Sequence, residues 1–120
     1  MRSPEVRERV CEAYDRPWFR EAPVIAVFTG LHGENWIRKS DNMDYLLCDV
    51  TILSDYFVLA ATEKGLGSCI IAAFDPEKVS VALDLPKNEI PFFLTPVGYV
   101  REGAHRERVR KELKDIVKIY

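Results

Sequence analysis

Apolar positions divide the chain into segments with two different periods. Ser3-Pro4-Glu5 offers a capping hydroxyl, a proline suited to the first helical position and an acid for the positive end of the helix dipole. Val6, Val10 and Ala13 then recur at helical spacing, and Pro17 is expected to close that helix. Residues 23–29 (Pro-Val-Ile-Ala-Val-Phe-Thr) form a short, nearly unbroken apolar run before Gly30, which predicts a buried strand. The polar stretch 30–42, with Gly33, Asn35, Ser40, Asp41 and Asn42, reads as a loop.

A long helix is predicted over about 44–64. Leu46, Val50, Leu53, Phe57, Ala60 and Ala61 mark one face, while Leu47, Ile52 and Val58 carry apolar character beyond it. A helix apolar on more than one side belongs at the centre of a core or at a subunit interface, so a dimer or larger assembly is expected. Gly65 supplies the left-handed conformation that ends the helix. Residues 68–73 read as a short apolar strand, and Asp75-Pro76-Glu77 repeats the helix-start pattern ahead of Val79, Ala82 and Leu83. Residues 86–91 are a turn region and 92–100 a second strand. Beyond Gly103, the stripe Val109, Leu113, Ile116, Val117, Tyr120 predicts a helix over about 111–118. No repeat or long linker divides the chain, which reads as one domain over 1–120.

Composition narrows the classes of function. With 120 residues, 48% of them hydrophobic, the chain can bury a core. A net charge of −2 with both signs interspersed gives no footprint for nucleic acid. Basic residues do gather near the C-terminus, including Arg108, Arg110 and Lys111, where they form either a solvated face or a local phosphate site. Cys11, Cys48 and Cys69 make no paired framework, which points to reduced thiols and the cytoplasm. No apolar run approaches the ~20 residues that a membrane span needs. His32 and His105 are too isolated for a metal motif, so no metal is expected.

No Ser-His-Asp, Cys-His or paired-carboxylate constellation stands out. Cys69 reads as a small buried thiol in an apolar strand. Trp18 and Trp36 suit an interface or lid but are equally explained by burial. Asp55 and Glu63 fall on the polar side of the long helix. Ile70-Ile71-Ala72-Ala73-Phe74 is a core strand with small residues, or else a place where main chain approaches a ligand. Arg106, Arg108 and Arg110 would share one side of an extended segment and scatter around the axis of a helix.

Leu59-Ala60-Ala61, Gly65-Leu66-Gly67-Ser68-Cys69, Phe74-Asp75 and Pro96-Val97-Gly98-Tyr99 follow one another in an order and spacing that resembles the C-terminal part of the flavin-dependent nitroreductase family. The resemblance extends more loosely over residues 7–120, and the family's arginine-bearing N-terminal segment has no counterpart before Met1. It implies an α+β fold, with an antiparallel sheet packed against helices and a long central helix over about 44–64. The family domain would then be truncated at its N-terminus. The resemblance also implies a homodimer with FMN at the subunit interface. Activity would pass hydride from NADH or NADPH through flavin N5 to a nitroaromatic, quinone or similar small acceptor, provided the missing half is supplied. It places Ala72 and Ala73 with their amides toward flavin N5 and O4, Ile70 and Ile71 against the ring, and Arg108 and Arg110 on the phosphate. It implies only a short helix within an extended C-terminal tail. The alternative is a flavin-free remnant or half-domain that acts only as a dimerising or interaction module.

Overall fold

A computed structural model describes residues 3–104 and 107–120. Helix α1, Pro4–Cys11, begins as its sequence requires, with Ser3 as N-cap and Pro4 in its first turn. It stops earlier than its apolar spacing predicts. Pro17 opens a new helix, α2 (Pro17–Glu21), because proline fits a first turn as readily as it ends an earlier one. Arg7 ties the two helices together by donating to the carbonyl oxygens of Arg20 and Ala22.

Strand β1, Val24–Leu31, pairs antiparallel with β5, Glu89–Tyr99, and β5 pairs on its other side with the short β4, Leu66–Ser68. The sheet order is therefore β1-β5-β4. A bulge between Phe28 and Thr29 leaves Phe92 as the extra residue, so Phe92 and its neighbour Phe93 both join the same apolar cluster. The stretch read as a loop holds a small second sheet, β2 (Ile37–Arg38) with β3 (Met43–Asp44). Arg38 braces this hairpin through Asp41 at 2.5 and 2.8 Å and through the Tyr45 hydroxyl at 2.7 Å.

Two layers of helix enclose the three-stranded sheet. Ile25 and Leu94 meet Val10, Cys11 and Ala13, Phe19 of α2, and Val79 and Ala82 of α4 (Pro76–Leu83). On the opposite face, Phe28 meets Leu46 and Val50 of α3 (Leu46–Glu63), with Ala26, Phe57 and Phe93 packed alongside. The alternation of Ile25 with Ala26 and of Leu94 with Phe93 is the two-residue period of a strand buried on both faces. Gly30 lets α3 approach: a Cβ there would lie 2.7 Å from Leu46 Cδ1 and 3.0 Å from Val50 Cγ2. Gly65, with φ +70°, ends α3 as expected. The α+β architecture, the antiparallel sheet and the long helix all agree with the sequence reading.

Burial along α3 is narrower than its composition predicts. Only Leu46, Val50, Ser54 and Ala61 are buried, while Leu53 and Ala60, expected on the core face, are exposed. The tail helix is shorter than the 111–118 read from its apolar stripe and agrees with the short helix that the resemblance implies. This helix, α5, is the single turn Leu113–Ile116, and the side chains of Val109, Leu113, Ile116 and Ile119 are exposed. The radius of gyration, 16.9 Å, exceeds the roughly 14 Å of a compact chain of this length, as a tail lying off the main body requires.

Candidate functional site

Residues 69–75 connect β4 to α4, and the structure fastens this segment at Ile71 and at Asp75. The Ile71 N–H donates to the Leu94 carbonyl at 2.9 Å, and the Leu94 N–H returns to the Ile71 carbonyl at 3.0 Å. At the other end, the Asp75 N–H donates to the Ala13 carbonyl at 3.0 Å. Asp75 Oδ1 also accepts from the Glu77 and Lys78 amides at 3.0 and 3.2 Å, capping α4.

The apolar run 68–73 is therefore not a continuous strand. The register that sets Ser68 opposite Val97 and Ile71 opposite Leu94 would place Cys69 opposite Pro96. Proline has no N–H to give, so the ladder breaks there and resumes only at Ile71. Beyond Ile71, the amides of Ala72, Ala73 and Phe74 have no acceptor among the described residues, and both alanines are exposed. Phe74 packs back against the core. Exposed amides without a protein acceptor are hydrated, and on a fastened, small-residue segment they are open to the acceptor atoms of a ligand.

The four residues named from sequence in this segment divide by environment. Ile71 is 5% exposed and belongs to the core with Val10, Val79 and Leu94, so it holds the segment from beneath. Ile70 is 43% exposed and lines a cavity of about 520 Å³ with Thr51, Ile52, Asp55 and Tyr56. That volume lies within the range of small-molecule sites. Sequence reasoning missed the four α3 residues. Their spacing at i, i+1, i+4 and i+5 was the available signal, because it marks one side of a helix.

Arg108 and Arg110 lie on the irregular, exposed segment before α5. Arg110 Nη1 donates to the carbonyl of Val109 at 3.1 Å, and no hydrogen bond or ion pair joins either arginine to residues 70–73. Arg106 and His105 lie outside the described residues.

Other sequence expectations change. Cys69 is exposed, because the break at Pro96 releases it from the sheet, and the buried thiol is that of Cys11. Burial pushes the Cys11 thiol up, partly offset by the Arg7 and Arg20 guanidinium groups. Trp18 and Trp36 are 48% and 60% exposed, so burial does not account for them. The Trp36 ring sits 4.9 Å from that of Tyr45 on the braced hairpin. The Arg38 guanidinium holds the Asp41 carboxyl below its usual range. Among the described residues, no cluster of three or more metal-ligating side chains occurs and no helix is long and apolar enough to cross a membrane.

The family model described as "Nitroreductase family" matches residues 3–99. The fold is similar to that of a nitroreductase family protein from Clostridium difficile 630, at 25% identity and a TM-score of 0.87, covering 98% of this chain and 69% of that one. A nitroreductase family protein from Clostridium novyi NT is similar at 25% identity and a TM-score of 0.73, with 88% and 61% covered. The fold of B. megaterium NfrA1 is similar at 22% identity and a TM-score of 0.78, with 99% and 54% covered. This chain thus spans 54% to 69% of the lengths of these three proteins. No curated protein sequence matches it.

Proposed function

Because the chain belongs to the nitroreductase family, we propose that it binds FMN and serves as a flavin-dependent oxidoreductase. The bound flavin would supply the redox chemistry, accepting hydride from NADH or NADPH and reducing a nitroaromatic, quinone or similar small acceptor. The observation that carries this reading is the fastened segment with its unpaired amides at Ala72 and Ala73 beside the cavity at Ile70. In this reading the amides of Ala72 and Ala73 donate to the acceptor atoms along one edge of the flavin ring. The alanine side chains leave room for close approach, and the pairing of Ile71 with Leu94 keeps the donors in position without cost at the moment of binding. Ile70 offers apolar contact to the ring.

Charge for the phosphate comes from Arg108 and Arg110 in this reading, and they must reach it from a tail that lies off the body of their own chain. A homodimer accommodates that geometry, because one copy's tail meets the other's site. The exposed apolar residues of the tail and those of α3 outside the cavity (Leu47 and Leu59) support the same assembly. The three free cysteines support a cytoplasmic setting.

Paired titrations with FMN and riboflavin test the assignment. Ala73→Pro removes a donor and should weaken both ligands, while Ala73→Ser should bind them as the parent does. Replacing Arg108 and Arg110 with Gln should weaken FMN at least tenfold per arginine, at about 1.5–3 kcal/mol for each charge-assisted contact, and leave riboflavin unchanged. A parent chain that takes up neither ligand overturns the proposal and favours the flavin-free interaction module.

A further inference from the structure

The cavity beside Ile70 carries a single charged group. Its lining consists of Thr51, Ile52, Asp55, Tyr56 and Ile70. The Thr51 hydroxyl is already engaged, donating to the Leu47 carbonyl at 2.6 Å. Ile52, Ile70 and the 69%-exposed Tyr56 supply flat or apolar walls. Asp55 is left as the charge that an entering molecule meets. No ion pair or hydrogen bond neutralises it among the described residues, where each salt bridge involves other acids.

Its own helix does nothing to offset that charge. The charged residues of α3 are Asp49, Asp55 and Glu63, and the helix contains no lysine or arginine. Folding does not explain Asp55 either. Mid-helix aspartate has low helical propensity, and the site lies well away from the helix N-terminus, where an acid is favoured. As an exposed carboxylate beside Ile52, Tyr56 and Ile70, Asp55 sets the charge that a ligand in this cavity meets.

We propose that Asp55 is a specificity-determining residue that admits neutral and cationic flat acceptors and disfavours anionic ones built on the same ring. This deepens, and rests on, the flavin-dependent reading above. A full charge about 6 Å from a ligand in a partly solvated cleft gives about a threefold effect in either direction at moderate salt. The span between cation and anion is therefore about tenfold. The Tyr56 ring face adds to the preference for a cation.

Three ligands sharing one nitrophenyl ring make the test: 4-nitrobenzoate, 4-nitrobenzamide and (4-nitrobenzyl)trimethylammonium. Equilibrium binding is read on the chain itself from the NMR signals of Tyr56, and kcat/KM is read separately with FMN and NADPH present. The expected order in both is cation, then neutral, then anion, with the span shrinking at about 0.5 M salt. Asp55→Asn should bring the three within about twofold and Asp55→Lys should invert the order. Glu63→Gln, which removes an acid outside the cavity lining, should leave it intact. An order unchanged by Asp55→Asn, a parent that prefers the anion, or ligands that leave Tyr56 unperturbed overturns the proposal. Ligands bound in the expected order but never reduced overturn the oxidoreductase reading and sustain the charge filter. Acceptors reduced without regard to charge overturn the filter and sustain the oxidoreductase reading.

Discussion

Ile25 and Leu94 leave the sheet on one side, and Ala26, Phe28 and Phe93 leave it on the other, yet the two sides are finished to different degrees. Toward α1, α2 and α4 the packing closes: Val10, Cys11, Phe19, Val79 and Leu94 have no exposed surface. Toward α3 it closes only along a stripe through Leu46, Val50, Ser54 and Ala61. At 100° per residue, Ile52, Tyr56 and Leu59 lie on the helix face opposite that stripe, and all three are exposed. A helix with apolar residues on two opposite faces has here buried one against its own sheet and left the other exposed. The site proposed above lies on this unfinished side, where a cofactor, an acceptor and a second copy can all meet the same helix.

The sharpest way to break this contrast is to truncate one leucine from each side. Leu94→Ala removes a fully buried side chain from the cluster it forms with Ile25, Ile71 and Val79, and should cost about 2–5 kcal/mol in denaturant unfolding. Leu59→Ala, on the outer face of α3, should change the stability of dilute protein by no more than about 0.5 kcal/mol. If a second copy covers Leu59, its loss should grow as protein concentration rises, because a partner that binds only the folded chain stabilises it by mass action. Equal losses at every concentration would show that the two faces of α3 are not different in kind.

A smaller effect tests how closely α3 sits on β1. Gly30→Ala places a methyl group against Leu46 and Val50, where the nearest atoms lie at 2.7–3.0 Å. The Leu46 terminal methyl can turn aside but the Val50 methyl has less freedom, so a loss of about 1–2 kcal/mol is expected. The near-ultraviolet spectrum should report it as well, because the ring of Phe57, on the same helix, packs 5.3 Å from that of Phe28. A neutral substitution would mean that α3 shifts freely on the sheet.

The finished side was the more legible in sequence. Ser3-Pro4 and Asp75-Pro76 announced α1 and α4, and Gly65 announced the end of α3, because caps and punctuation act through neighbours in the chain. Pro17 misled, since proline's fixed φ suits a helix start and a helix stop alike and only the packing of Phe19 decides between them. The broken strand at Cys69 was hidden for a related reason: the cause is Pro96, a residue 27 positions away that becomes a neighbour only through register. The segment 70–73 left a trace in its small residues within an apolar run, but a role for it came only from the family resemblance. The α3 side of the cavity was not found, because Asp55 and Tyr56 look like ordinary surface residues until Ile70 is placed beside them. Arg108 and Arg110 stand in the same position still, since what they meet depends on a second chain or on the ligand.

The smallest effect has the opposite sign. Thr95 and Ser54 are fully buried on the α3 side, and neither hydroxyl has a hydrogen-bond partner among the described residues. A buried hydroxyl without an acceptor has lost its water and gained nothing in return, at a cost of about 1–3 kcal/mol. Thr95→Val keeps the branched shape that suits a strand and replaces the orphaned hydroxyl with a methyl group of similar volume. It should therefore raise stability by about 1 kcal/mol, or a few degrees in Tm for a domain of this size. Ser54→Ala should stabilise less, because it also gives up contact atoms. The finished side offers no equivalent gain, since its fully buried residues Val10, Phe19, Val79 and Leu94 are already apolar. A loss on Thr95→Val would mean that the hydroxyl is paired in solution by a bound water. The polar pair would then hold α3 to the sheet, and the unfinished side would owe part of its cohesion to solvent.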